Sequence, residues 1–144
     1  MMRRLLLLAI PAVLSTPAWA LDFVSTNRAA ILYDAPAQQA NKVAVVSAGY
    51  PLEVLVQLQD WVKVRDATGA IEWIPTGALG VQRTVMVNAP QATVYAQPSA
   101  ASQALFQVNQ GVAFPFLGQS GAWAQVKLPD GSNGYLPVTA LWGL

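Results

Sequence analysis

The chain has 144 residues, a formal net charge of +1, no cysteine and no histidine. That excludes disulfide staples, zinc sites built on thiolate or imidazole, and catalysis by a nucleophile–histidine pair. The few cations form no basic stripe, which excludes nucleic-acid binding driven by charge.

In chain order, the first feature is an export signal over residues 1–20. Arg3 and Arg4 are followed by the apolar run "LLLLAIPAVL" and then by "STPAWA", in which Ala18-Trp19-Ala20 fits the A-x-A cleavage pattern. The apolar run is about half of the ~20 residues that a membrane-spanning helix needs. Cleavage after Ala20 is therefore expected, with a periplasmic or secreted product that has no membrane span. A lipoprotein is not expected, because no cysteine stands at the cleavage site. Past the signal, six basic residues (Arg28, Lys42, Lys63, Arg65, Arg83, Lys127) face seven acidic ones, a net charge of −1.

The rest reads as short strands. "KVAVV" (42–46) runs into a turn at Gly49. "LEVLVQL" (52–58) alternates, and "WVKVR" (61–65) alternates strictly, with Val62 and Val64 on one face and Trp61, Lys63 and Arg65 on the other. "DATG" (66–69) predicts a hairpin turn with Gly69 at positive φ, and Asp66 reads as a solvated turn residue. "IEWI" (71–74) is the next strand, stopped by Pro75, and "PTGAL" predicts a 3₁₀ turn into a final short strand. "VQRTVMV" alternates without the Gly/Ser content of a flexible linker, so a strand feeding directly into a second, packed unit is expected. "ALFQV" (104–108), Gly111, "LPDGSNG", Pro137 and "PVTAL" then repeat the series. No helical period is sustained outside the signal.

The repetition is gapless at 62 residues. Over residues 26–79 it gives 13 identical pairs, among them Tyr33/Tyr95, Gly49/Gly111, Trp61/Trp123, Gly69/Gly131 and Pro75/Pro137; chance at ordinary composition gives about four. Two copies with so long a period point to tandem small domains rather than a solenoid. The expected organisation is a signal at 1–20, one domain at 21–80 and a second at 81–144. The fold class is all-β, as two tandem small, partly open barrels.

Ala35-Pro36, Val43 to Val46, Gly49, Leu52 to Leu58, Asp60-Trp61, Val62 to Arg65, Gly69, Glu72-Trp73-Ile74 and Leu79 follow one another in a pattern that resembles the bacterial SH3-like domain family. Pro98, Gly111, Trp123, Val126-Lys127, Gly131, Gly134-Tyr135-Leu136 and Leu141 repeat it. The resemblance covers nearly the whole chain after the signal. It implies a five-stranded SH3-like barrel in each copy. It also implies a non-catalytic binding role in the cell envelope, toward peptidoglycan peptide or an extended protein segment. The chain departs from the family in having Tyr33 and Tyr95 where an Arg is frequent, and Glu72 where a Gly precedes the last aromatic.

Ligand-binding candidates are Tyr33, Trp61, Lys63, Arg65, Tyr95 and Trp123. Trp61 beside Lys63 and Arg65 offers a stacking face with cationic neighbours; the competing reading, favoured because so small a barrel needs every large side chain it has, is that each Trp closes its own barrel or packs between the domains. Tyr33 and Tyr95 read as residues of the first long loop, either touching a partner or bonded to their own backbone. Trp73 and Tyr135 read as structural, Lys127 as a solvated face, and Trp142 as a cap on the second barrel. A carboxylate-pair hydrolase is a formal option, but Asp60 and Glu72 have Ala122 and Gly134 as counterparts, so neither acid belongs to both units. No catalytic residue, metal or cofactor is expected. The alternative to a binding module is a structural accessory subunit of an envelope complex.

Overall fold

The protein is described by a computed structural model over residues 22–144; the expected signal at 1–20 lies outside the described residues. The first seven strands are β1 (Phe23–Thr26), β2 (Ala30–Tyr33), β3 (Lys42–Val46), β4 (Pro51–Gln57), β5 (Trp61–Arg65), β6 (Ile71–Pro75) and β7 (Leu79–Gly80). They form one sheet in the order β3-β2-β6-β5-β4-β1-β7. The next seven are β8 (Thr84–Val87), β9 (Gln91–Tyr95), β10 (Ala104–Asn109), β11 (Ala113–Ser120), β12 (Trp123–Lys127), β13 (Asn133–Pro137) and β14 (Leu141–Trp142). Their sheet has the equivalent order, β10-β9-β13-β12-β11-β8-β14. The chain is thus all-β, in two tandem units, as expected. The 3₁₀ turns also fall where the sequence puts them, at Thr76–Ala78 and Val138–Ala140.

Each unit has its own core, and strand alternation selects its members. Leu32, Leu52, Val62, Val64 and Ile74 fill the first; Val85, Val87, Val94, Val126 and Leu136 fill the second. Burying one such side chain is worth about 1.5–3 kcal/mol. Between the inward valines of β5, the side chains of Trp61, Lys63 and Arg65 stay half-exposed on the outer face. The copies even share their irregularities. A bulge at Leu55 shifts β4 against β5, and one at Leu117 shifts β11 against β12. Val43 and Leu105 mark a matching pair of shifts in β3 and β10.

The hairpin after β5 differs from its expected form. Gly69 does take φ +90°, but Asp66 is not solvated: it is 7% exposed. Its Oδ1 accepts the Thr68 N–H (2.8 Å), the Thr68 hydroxyl (2.6 Å) and the Ala70 N–H (3.1 Å). The carboxylate folds back into its own turn, an Asx-type arrangement that satisfies donors the turn would otherwise leave open.

The units are packed together rather than merely tethered. All four residues of β8 are buried. Thr84 Oγ1 donates to the Gly49 carbonyl (2.7 Å) and accepts from the Ser25 hydroxyl (2.7 Å), while the Thr84 N–H donates to Ser25 Oγ (3.1 Å). Trp142, expected to cap the second barrel, instead reaches the first unit. Its Nε1–H donates to the Pro51 carbonyl at 3.0 Å, and its ring meets Phe23 edge-on at 5.1 Å. The next residue must be Gly143. It sits at φ +110°, where a Cβ would come within 2.9 Å of the Thr84 carbonyl oxygen and 3.1 Å of Pro51 Cβ.

Thr84→Val keeps the shape of the junction and the backbone N–H bond to Ser25 Oγ, but it takes the donor from the Gly49 carbonyl and the acceptor from the Ser25 O–H. Guanidinium unfolding should show a loss of about 1–3 kcal/mol. A midpoint equal to that of the parent would show that this relay adds nothing to the packing of the pair.

Candidate functional site

The strongest concentration of aromatic side chains lies on the outer face of β2, β6 and β5 and its copy on β9, β13 and β12. Antiparallel register sets it out. In the first unit Tyr33 lies opposite Trp73, Trp73 opposite Lys63, and Lys63 opposite Val56. In the second, Tyr95 lies opposite Tyr135, Tyr135 opposite Gln125, and Gln125 opposite Gly118. Directly paired residues share a face, so each row is one strip of surface. The bulges decide its last member: the extra residue at Leu55 or Leu117 brings Val56 or Gly118 opposite the central strand.

Trp61 and Trp123 flank these rows. Trp61 meets Tyr33 edge-on with centroids 5.2 Å apart, and Trp123 meets Tyr95 in the same way at 5.5 Å. This is the favoured quadrupole arrangement of an aromatic pair. Tyr33 and Tyr95 are therefore not loop residues but the last residues of β2 and β9. Tyr33 is buried, 6% exposed, whereas Tyr95 is half-buried.

The cationic neighbours divide. Lys63 Nζ lies 5.8 Å from the centroid of the Trp73 ring, its cross-strand partner, rather than standing free beside Trp61. Arg65 is committed to Glu53, with Nη1 to Oε2 at 2.7 Å across the β4–β5 pair, so it adds no free cation to the row. Trp73 and Tyr135, read from sequence as structural, are the central members of the two rows. Trp73 stands between Glu72 and Ile74, both buried, so alternation turns it outward; the carboxylate at the inward position 72 hides this in the sequence.

In the second unit the strip is concave. A cavity of about 210 Å³ is bounded by Pro98, Gly118, Ser120, Trp123, Gln125 and Tyr135. A larger cleft of about 460 Å³ opens at the junction between Val45, Ala48, Tyr50, Met86, Asn88 and Gln110. It holds no charged residue and none of the paired aromatics. Among the described residues no three of His, Cys, Asp and Glu come together as metal ligands do.

One acidic pair occurs in the first unit alone. Burial pushes Glu72 above the ordinary glutamate range, and the neighbouring Asp66 adds to the shift through its charge and a hydrogen bond. Glu72 Oε2 is buried with no partner among the described residues. Burial likewise raises the Tyr50 hydroxyl. The Ala67 N–H that it accepts opposes this, while the charges of Asp66 and Glu72 add to it. The second unit has Leu128 and Gly134 at these positions. A Cβ on Gly134 would meet Val94 Cγ1 at 2.7 Å and Leu128 Cδ2 at 3.0 Å, so an aliphatic side chain fills the space that the acids occupy in the first copy.

A raised folded-state pKa means that the native state binds the proton more tightly than the unfolded chain. Its stabilising contribution is full at low pH and is lost as pH rises through the folded value. Glu72→Gln should remove that loss. Thermal unfolding followed from pH 4 to pH 8 should decline less steeply in the variant, and the variant should be the more stable at pH 7; parallel profiles would contradict the shift.

Two family models, each described as a bacterial SH3 domain, match residues 27–80 and 90–140. No curated protein matches. Among solved structures, the chain is 20% identical to an NlpC/P60 family protein from Bacillus cereus ATCC 10987, covering 84% of this chain and 56% of that one at a TM-score of 0.38. It is 16% identical to NlpC1 from Trichomonas vaginalis (92% and 50%, TM-score 0.39) and 17% to NlpC2 from the same organism (85% and 48%, TM-score 0.38). The chain thus spans about half the length of these structures.

Proposed function

We propose that this chain, which belongs to the bacterial SH3 domain family, is an exported binding module that recognises peptidoglycan or an extended protein segment in the cell envelope without transforming it. Bacterial SH3 domains commonly bind peptidoglycan and typically act outside the cytoplasm. The export signal read at residues 1–20 agrees with that setting, and among the described residues no helix is long and apolar enough to cross a membrane.

The observation that carries the reading is the duplicated outer strip. Each copy holds a Trp braced edge-on by a Tyr and a second aromatic at the centre of the row. Large flat side chains held in place by packing bind with little loss of rotamer freedom, and each contributes about 0.5–1.5 kcal/mol beyond simple burial.

The test is equilibrium pull-down on purified sacculi. Trp123→Ala and Tyr135→Ala should each weaken binding by about three- to tenfold, as the loss of one aromatic contact implies, while Lys127→Ala changes nothing. Sacculi that retain none of the parent protein would reject a wall ligand.

A second reading, an accessory subunit of an envelope complex, is favoured by one feature. Strand β10 is a sheet edge without charge or proline, and Leu105 and Phe106 are exposed on it. Such an edge suits pairing with a partner strand. Cross-linking in cells through residue 106 should then yield one stoichiometric protein adduct; products spread over many proteins count against it.

A further inference from the structure

The two strips are copies of one motif, and the differences between them act as an internal control on what the second can bind. Resting on the binding-module reading above, we infer that the strip of the second unit is a pocket for a single uncharged sugar ring, and that the equivalent place in the first unit is plugged by its own side chains.

Three positions make the difference. Gly118 in the second unit corresponds to Val56 in the first, Ser120 to Leu58, and Gln125 to Lys63. Gly118 lies opposite Gln125, and Ser120 lies opposite Trp123. In the first unit Val56 lies opposite Lys63, and the Leu58 N–H bonds to the Trp61 carbonyl, which sets Leu58 beside Trp61. Val56 and Leu58 are 44% and 45% exposed, two aliphatic side chains standing where the second unit has a bare backbone and a hydroxyl. Lys63 lies over the Trp73 ring, whereas its counterpart Gln125 leaves the Tyr135 ring without a cation. The tyrosine at the end of the row follows the same trend, buried at Tyr33 and half-exposed at Tyr95.

The chemistry of the open pocket fixes the ligand class. Its walls are the Trp123 and Tyr135 rings, with Pro98 at the edge. Its polar side chains are the Gln125 amide and the Ser120 hydroxyl, which make no hydrogen bond among the described residues, and Gln119, whose Nε2 donates to the Gly121 carbonyl at 3.1 Å. No charged side chain lines it, so a carboxylate or an ammonium would enter without compensation. At about 210 Å³ it lies below the ~300 Å³ at which sites for drug-sized ligands begin, which suits one ring rather than a length of chain. An aromatic face for the C–H side of a pyranose, with neutral donors and acceptors for its hydroxyl or acetamido groups, is what the pocket supplies.

The probe is tri-N-acetylchitotriose, titrated into the ¹⁵N-labelled chain. The expected result is a saturable shift of the Trp123 indole N–H and the Gln125 side-chain amide, with a Kd on the order of 1 mM, and no shift of the Trp61 indole. Gly118→Val with Ser120→Leu, which installs the first unit's own residues, should abolish it. A Cβ at Gly118 meets nothing within 4 Å, so the added side chain enters the cavity and not the core. An unchanged Trp142 indole would report an intact junction in that variant. Val56→Gly with Leu58→Ser and Lys63→Gln should create a second responding indole at Trp61.

No saturable shift up to about 20 mM sugar would overturn the inference. So would a response at Trp61 in the parent chain, or one that survives the Gly118→Val/Ser120→Leu change. A capped tetra-alanine peptide that shifts Trp123 where the sugar does not would assign the pocket to extended peptide instead. Sacculus binding that persists while the sugar fails would sink this inference alone and leave the binding-module reading in place.

Discussion

Strict alternation along the central strand of each unit is the constraint from which the rest of the molecule follows. A unit of about 60 residues has little interior, and the valines of β5 with their neighbours on β2, β4 and β6 already occupy it. Nothing as large as an indole can join them. Trp61 and Trp123, each one residue from a fully buried position, are forced to the outer face, and their cross-strand neighbours are forced there with them. The aromatic strip is therefore the complement of the core, set by the same period of two.

Small size has a second consequence, visible at the junction. The seam is held by polar and aromatic contacts that neither unit can complete alone: the Ser25–Thr84–Gly49 relay, and Trp142 spanning from β14 to Pro51 and Phe23. Thr84 opens the second sheet, yet its hydroxyl serves the first. The connecting segment thus works as part of both units, which is why it carries buried Thr, Val and Met rather than glycine and serine.

The repeat made the architecture legible. Gapless spacing, turn glycines at Gly69 and Gly131, stopping prolines at Pro75 and Pro137, and the outward placement of Trp61 all follow from local rules that hold wherever the segment sits. What stayed hidden depends on contacts distant in sequence. Trp142 reads as a cap on its own barrel because nothing near it in sequence points toward Pro51, 91 residues away. Arg65 read as a free cation because its partner Glu53 lies on another strand. Tyr33 read as a loop residue because the shift at Val43 that carries β2 one residue further is fixed by pairing with β3. Asp66 read as solvated because turn composition announces a turn without saying which way the carboxylate folds. Trp73 reads as structural because Glu72, the residue that composition would place toward solvent, is the one that faces inward, so only the observed burial shows which way the alternation runs.

Duplication also explains how one chain supports both roles considered for its tryptophans. Packing against the fold and keeping an open face are compatible for one ring: each tryptophan meets a tyrosine edge-on and stays half-exposed. The Tyr95 and Trp123 rings meet edge to face, so the indole is packed without a ligand, while the rim toward Gly118 and Ser120 remains open. In the first unit the same brace is present, but Val56 and Leu58 cover the rim. The covering residues lie at the end of β4 and just after it, beyond the bulge, where they contribute nothing to the core and are free to diverge. In the two-unit chain the fold therefore fixes where an aromatic surface must be, and the residues beyond the bulge decide whether that surface is covered or open.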